Sequence, residues 1–190
     1  MYDIAIIGAG PAGASAAIFT AKAGKSTVVI DSDKGVTRRA WFENFYGIME
    51  IDGPTLVDIG IAQLKKLGAE YILDEATDIA AVEGGFSIAT AGGASFQAKH
   101  VVLATGLSVE LGEKLGAKTA PGTEPRIKSI FEVDAAGRTN VPGVWAAGTV
   151  AGVSMHGVIT AGDGAKVAIN LISELNGERY VDHDVIKPKA

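Results

Sequence analysis

Near the start of the chain, Gly8, Gly10 and Gly13 stand at the spacing G-x-G-x-x-G within "YDIAIIGAGPAGASAAIFTAKAGKSTVVID". Glycines in these places have separate uses. One allows a tight turn, one lets the backbone approach a pyrophosphate, and one lets the following helix pack closely on the strand. A helix beginning there offers unpaired N–H groups and the positive end of its dipole to phosphates. The spacing alone says little in a glycine-rich chain, but its flanks strengthen it. "DIAII" is strand-like, "PAGASAAIFTAKAG" is helix-like with Pro11 and Ala12 in its first turn, and "STVVID" is a second strand. Asp31 closes that strand, where a carboxylate can accept hydrogen bonds from an adenosine ribose. The unit has the length of a βαβ element and marks a dinucleotide site.

The rest of the chain must supply a sheet to hold this turn. With 190 residues and 47% hydrophobic content, there is enough for one well-buried α/β domain and little room for two. The formal net charge of −5 comes without a basic stripe interleaved with aromatics, so nucleic acid is not an expected partner. Residues 4–21 carry no charge, the composition of a membrane span or signal peptide. Their Ala/Gly content, Asp3 before them and the strand directly after them argue against both, and predict a soluble cytoplasmic protein without membrane contact. The sequence holds no cysteine, which removes disulfides, thiolate nucleophiles and thiolate metal sites. His100, His156 and His183 are too dispersed to form a metal-ligand pattern, and no metal is expected.

Further along, "SDKGVTRRAWFENFYGI" predicts an irregular aromatic loop and "GPTLVDIGIAQLKKLGAE" an amphipathic helix. Leu56, Ile59, Leu64 and Leu67 mark that helix's apolar side, with Lys65 and Lys66 towards water. Between residues 70 and 104, Gly84-Gly85 and Gly92-Gly93 divide strand-like runs into a three-stranded antiparallel meander, which leads into the apolar strand "HVVLATG" of a buried parallel sheet. Residues 107–125 are linker-like. A strand "RIKSIFEV", a turn at "DAAG", a short strand "GVWAAG" and a last helix from Gly157 to Leu175 follow, the helix ended by Asn176-Gly177.

The late motifs "LATG" at 103–106 and "RTNVPGVWAAGTVAG" at 138–152 resemble the flavoprotein disulfide reductases, and most of all the FAD domain of thioredoxin reductases. The resemblance runs from Tyr2 to about Gly177. It implies a Rossmann-like FAD/NAD(P)-binding fold, with a parallel central sheet and the antiparallel meander, and FAD as cofactor. Thr105 and Gly106 would lie at the flavin site, and Gly148 and Thr149 would stand at the ribityl chain. Gly157 would begin the helix aimed at the flavin ring. "FENFYGI" is similar to a loop near the flavin and would place Asn44 there, while the run "AGDG" at 161–164 sets His156 near the pyrimidine end as a candidate catalytic group, the alternative being a histidine that only caps the helix or faces solvent. An imidazole and helix N–H groups in that position would stabilise negative charge on a reduced ring.

Three departures accompany the resemblance. The family inserts an NADPH domain where this chain has residues 107–125, so the expectation is a single FAD-binding domain over 1–190 with its core in 1–106 and 126–177. The family's Cys-x-x-C is missing. Thr149 stands where the family has the Asp of A-A-G-D, and a hydroxyl makes a weaker bond than a carboxylate. Trp41, Phe42, Phe45 and Tyr46 suit stacking on a flavin or substrate, covering of a core edge, or a dimer contact, and Arg38 and Arg39 suit either an anion or open water. His100, at the entrance to a buried strand, is expected to be structural, and His183, in the polar tail, carries no expected role. The function implied is an FAD-dependent oxidoreductase that exchanges electrons with a small molecule or a partner protein, a homodimer being open. A non-catalytic flavin-binding subunit or sensor and a plain NAD(P)-binding module are the alternatives.

Overall fold

The computed structural model describes residues 1–186. In chain order the first elements are β1 (Tyr2–Ile7), α1 (Pro11–Lys22), β2 (Thr27–Asp31), β3 (Trp41–Phe42), β4 (Ile51–Asp52), α2 (Gly53–Lys66) and β5 (Glu70–Leu73). They are followed by β6 (Ala76–Val82), β7 (Gly85–Thr90), β8 (Ser95–Leu103), α3 (Glu110–Lys114), β9 (Thr119–Pro121), β10 (Ser129–Phe131), β11 (Val144–Ala146) and α4 (Gly157–Asn176). Short 3-10 turns occupy Val36–Arg39 and Thr149–Ala151. None of the helices formed by the described residues is long and apolar enough to cross a membrane.

The central sheet runs β5-β2-β1-β8, with β11 on the far side of β8, all pairing parallel. Strand periodicity decides its two faces. Ile4 and Ile6 of β1 join Val29, Val102 and Trp145 beneath α1, α2 and α4, whereas Ala5 and Ile7 join Val28, Ile30, Leu103 and Phe131 on the opposite face. Strands buried on both faces read as continuous apolar runs, which is why "IAII" and "VVL" were legible as sheet. The Rossmann-like fold class expected from the sequence is the one observed.

Several boundaries differ from expectation. β8 is one nine-residue strand that pairs antiparallel with β7 through Ser95–Ala98 and parallel with β1 and β11 further on, so the meander's third strand and the buried strand are the same element. β5 is a parallel edge strand beside β2 and no part of the meander, which consists of β6, β7 and the start of β8. On α2 the buried residues are Gly53, Val57 and Leu64, Ile61 packs against the core cluster that holds Leu64, and Ile59 is exposed. Of the expected stripe Leu64 is buried and Leu67 packs against the core, whereas Ile59 is exposed and Val57, next to Leu56, takes the buried place. Residues 107–125 hold α3 and β9, and β9 pairs antiparallel with β10, which is all that remains strand-like in "RIKSIFEV". α4 ends at Asn176, with Gly177 left-handed at φ +72° as its cap.

Candidate functional site

The carboxyl ends of β1, β2 and β8 open into a cleft of about 670 Å³, the usual ligand position in an open α/β sheet. The glycine turn forms its floor. Gly8 has φ +101°, and a Cβ there would lie 2.5 Å from the Ala104 carbonyl oxygen. A Cβ on Gly13 would stand 1.9 Å from the Gly8 carbonyl oxygen, so Gly13 permits α1 to lie on the end of β1 and does not itself face the cleft. Gly10 meets only Thr37 Oγ1, at 3.9 Å, and lines the cleft with Pro11 and Ala12. The three positions therefore divide into one turn, one open approach and one close packing.

Two helices begin at this cleft, and neither closes its own N-terminus. Gly10 at α1 and His156 at α4 make no side-chain cap, and neither first turn carries an acidic residue. By contrast α2 is capped from within, since Asp52 accepts the Thr55 N–H at 2.8 Å and the Thr55 hydroxyl as well. Those two bonds hold the Asp52 carboxyl below the usual carboxylate range. Uncapped amides and dipole ends directed at one cleft suit an anionic, extended ligand. Gly8, Ala104, Thr105 and Gly106 connect the start of α1 to the middle of the cleft, and Ala147, Thr149 and Thr160 connect it to Gly157 at the start of α4.

Asp31 lines the other end, and most of its capacity is already used. Its Oδ1 accepts the Ala9 N–H at 3.0 Å, within the glycine turn, and its Oδ2 accepts the Asp33 N–H and the Tyr71 hydroxyl, each at 3.2 Å. Burial and the Asp31 charge push the Tyr71 hydroxyl up to about 12, so it remains a donor to that carboxylate. An ionised carboxylate offers about four lone-pair sites, which leaves roughly one for a ribose hydroxyl.

The remaining expected residues lie elsewhere. Asn44 is exposed on the β3–β4 connection and does not line the cleft. His156 is exposed, with its Nδ1 2.8 Å from Ser154 Oγ, and only its neighbours Met155 and Gly157 reach the cleft. Gly148 does not line the cleft, whereas Ala147 and Thr149 on either side of it do. Arg38 is committed to Asp33, to Asp58 at 2.7 Å and to the Pro54 carbonyl, which ties the loop after β2 to α2. Of the aromatics, Phe42 lines the cleft, where its ring edge would clash with any Cβ on Gly157, and it meets Phe45 edge-on. Trp41 and Tyr46 are 60% and 93% exposed. Lys34, Thr37, Met155 and Thr160 also line the cleft and were not foreseen. No spacing rule marks them, since only the folding of the 32–40 loop and α4 over the turn brings them there.

Residues 2–123 match the pyridine nucleotide-disulphide oxidoreductase family, and the chain belongs to it. Over 123 residues it is 37% identical to a thioredoxin reductase of Listeria monocytogenes, a match covering 62% of this chain and 36% of that protein. Over 114 residues it is 38% identical to a thioredoxin reductase of Aquifex aeolicus, covering 56% of this chain and 34% of that protein. The matching stretch thus spans about a third of these curated relatives' length. Among solved structures, a thioredoxin reductase from Gloeobacter violaceus superposes with a TM-score of 0.80 at 18% identity, covering 98% of this chain and 99% of that chain, which shows a shared fold.

Members of this family are FAD-binding flavoproteins. The residues present fit that group. The cleft joins two uncapped helix starts, its wall at Gly10 is open, and Ile7, Ile30, Ala104 and Phe42 give it apolar sides.

Proposed function

We propose that this chain is an FAD-dependent redox module that exchanges electrons with a small molecule or a partner protein. The observation that carries this reading is the single cleft that runs from Asp31, past the open side of Gly10, to Thr149 and the uncapped start of α4. In this reading Gly10, Pro11 and Ala12 receive the pyrophosphate, the last acceptor position of Asp31 meets the adenosine ribose, and Thr149 meets the ribityl chain. Thr105 and Gly106 border the middle of the cleft, and Gly157 turns the α4 amides towards the ring. Gly8, Gly13 and Gly148 shape the backbone. Asn44 and His156 are left out, because their side chains are exposed and do not line the cleft. Bound FAD supplies the redox chemistry, and the protein supplies binding, orientation and electrostatics.

The absence of cysteine excludes a dithiol relay within this sequence. A second dinucleotide fingerprint is also missing between β8 and β11, where α3 and the β9–β10 pair make the connection. In this reading electrons arrive from or leave to a small molecule or a protein partner. Trp41, Tyr46 and Met49 are exposed on the β3–β4 hairpin whose Phe42 lines the cleft, and exposed aromatic side chains beside a redox site favour a protein partner. The test is anaerobic mixing of the FAD-loaded oxidised protein with reduced candidate donors, reading loss of flavin absorbance. NADH and NADPH should reduce it slowly and without saturation, and a reduced protein donor should do so saturably. Tight, saturable reduction by a nicotinamide would overturn the assignment of electron exchange to a partner.

A further inference from the structure

Asp163 is the one carboxylate buried among the described residues, with 7% exposure, and the cofactor contacts proposed above leave it unused. It belongs to α4. Its Oδ2 accepts the Gly148 N–H at 2.8 Å, and its Oδ1 pairs with Lys166 Nζ at 2.6 Å. A buried carboxylate is costly without partners, and these two contacts are what offset that cost for Asp163 in this place.

Gly148 is the partner that bears on the cleft. Its backbone sits at φ +81°, ψ −153°, a region that only glycine occupies readily. The next residue, Thr149, lines the cleft. At this turn the β11–α4 connection and α4 itself pack directly on the first turn of α1. A Cβ on Gly148 would lie 2.7 Å from Ala12 Cβ, and one on Gly164 would lie 2.0 Å from the Ala12 carbonyl oxygen. The residue pair Asp163-Gly164 thus grips the β11–α4 turn with its first member and the first turn of α1 with its second.

We infer that Asp163 is a positioning residue for the cofactor cleft, because its bond to the Gly148 N–H fixes the turn that presents Thr149 to the bound flavin dinucleotide. The inference rests on the FAD reading of the cleft. Lys166, half exposed, offsets the carboxylate charge from the solvent side and leaves Oδ2 to the amide.

The test compares Asp163→Ala, Asp163→Asn, Thr149→Ala and the double variant Asp163→Ala/Thr149→Ala. Two quantities are read: the FAD dissociation constant, and the hydrogen exchange of the Gly148 amide in FAD-free protein. Losing the acceptor for a buried N–H should weaken FAD by about ten-fold in D163A and speed Gly148 exchange by about ten-fold. D163N keeps an amide oxygen for Gly148 and should stay within about three-fold of wild type in both. The D163A and T149A losses should be less than additive, since they act through one turn. Should D163A unfold, Asp163→Ser, whose hydroxyl ends short of Gly148, carries the same expectation. Wild-type FAD affinity in a folded D163A or D163S, additive losses, or unchanged Gly148 exchange would each overturn the inference. If wild type itself binds no FAD, the cofactor reading fails, and Gly148 exchange alone then decides whether Asp163 holds the turn.

Discussion

The Asp31 carboxylate accepts the Ala9 amide at 3.0 Å, which ties the end of β2 into the glycine turn that follows β1. One side chain thereby couples the two parts of the cleft where the proposed FAD would set its adenosine ribose and its pyrophosphate. Replacing it by Ala leaves the Ala9 N–H and the Tyr71 hydroxyl without this acceptor, at a cost of about 1 to 2 kcal/mol in stability. Titration of Asp31→Ala with FAD and with FMN should show weaker binding of both, the greater loss falling on FAD because only FAD has the adenosine ribose. Unchanged FMN affinity would show that the Ala9 contact does not shape the turn.

Gly13→Ala should be among the most damaging single changes in the chain. The added Cβ would stand 1.9 Å from the Gly8 carbonyl oxygen, backbone that cannot swing aside as a side chain would. Forcing α1 off β1 should cost roughly 2 kcal/mol or more by the usual scale of overpacking, read as a fall in Tm. FAD affinity should fall with it. Gly10→Ala, whose Cβ meets only Thr37 Oγ1 at 3.9 Å, should by contrast keep wild-type stability and weaken FAD alone.

These two glycines show how much of the site was legible in the sequence. The turn was readable because its function requires residue types at fixed spacing on contiguous elements, strand, glycine turn, helix and strand. The sheet was readable because strands buried on both faces have continuous apolar runs. Asp163 and Thr37 were not, since their roles depend on where α4 and the 32–40 loop settle over the turn. His156 had motif context in its favour, but its ring turns to Ser154. On α2 the later part of the apolar side, Leu64 and Leu67, was read correctly, but Ile59 is exposed and Val57 is buried in the first turns, because a short helix with apolar residues at 56, 57, 59 and 61 offers more than one stripe at helical spacing.

A pH dependence of stability should follow from His100. Its Nδ1 is buried and has no hydrogen-bond partner among the described residues, and burial holds the imidazole below its ordinary value of 6.5 despite the opposing charges of Glu174 and Asp3. With the folded-state value lower than the unfolded one, the unfolded chain takes up the proton first. The contribution is intact above 6.5 and is lost as the pH falls through the folded-state value. Denaturant midpoints measured from about pH 8 to pH 5, an interval bracketing an ordinary histidine titration, should decline towards acid. His100→Gln should flatten that decline, and a slope unchanged in the variant would assign it to other groups.

Thr149→Asp should be tolerated and should tighten FAD. The position lines the cleft, and a carboxylate there gains a charged hydrogen bond to a ribityl hydroxyl, worth roughly 1 to 2 kcal/mol after desolvation. The FAD dissociation constant of the variant checks this directly. Complete loss of FAD would mean that the Gly148–Thr149 turn does not face the ribityl chain.

The central claim is that this cleft holds FAD. It is tested most directly by reconstituting the purified protein with FAD, removing the excess, and recording the visible spectrum and the flavin released on denaturation. The account predicts a yellow protein that retains one flavin per chain, recovered as FAD. A colourless protein that retains no flavin after reconstitution, yet binds NAD tightly in the same cleft, would contradict it.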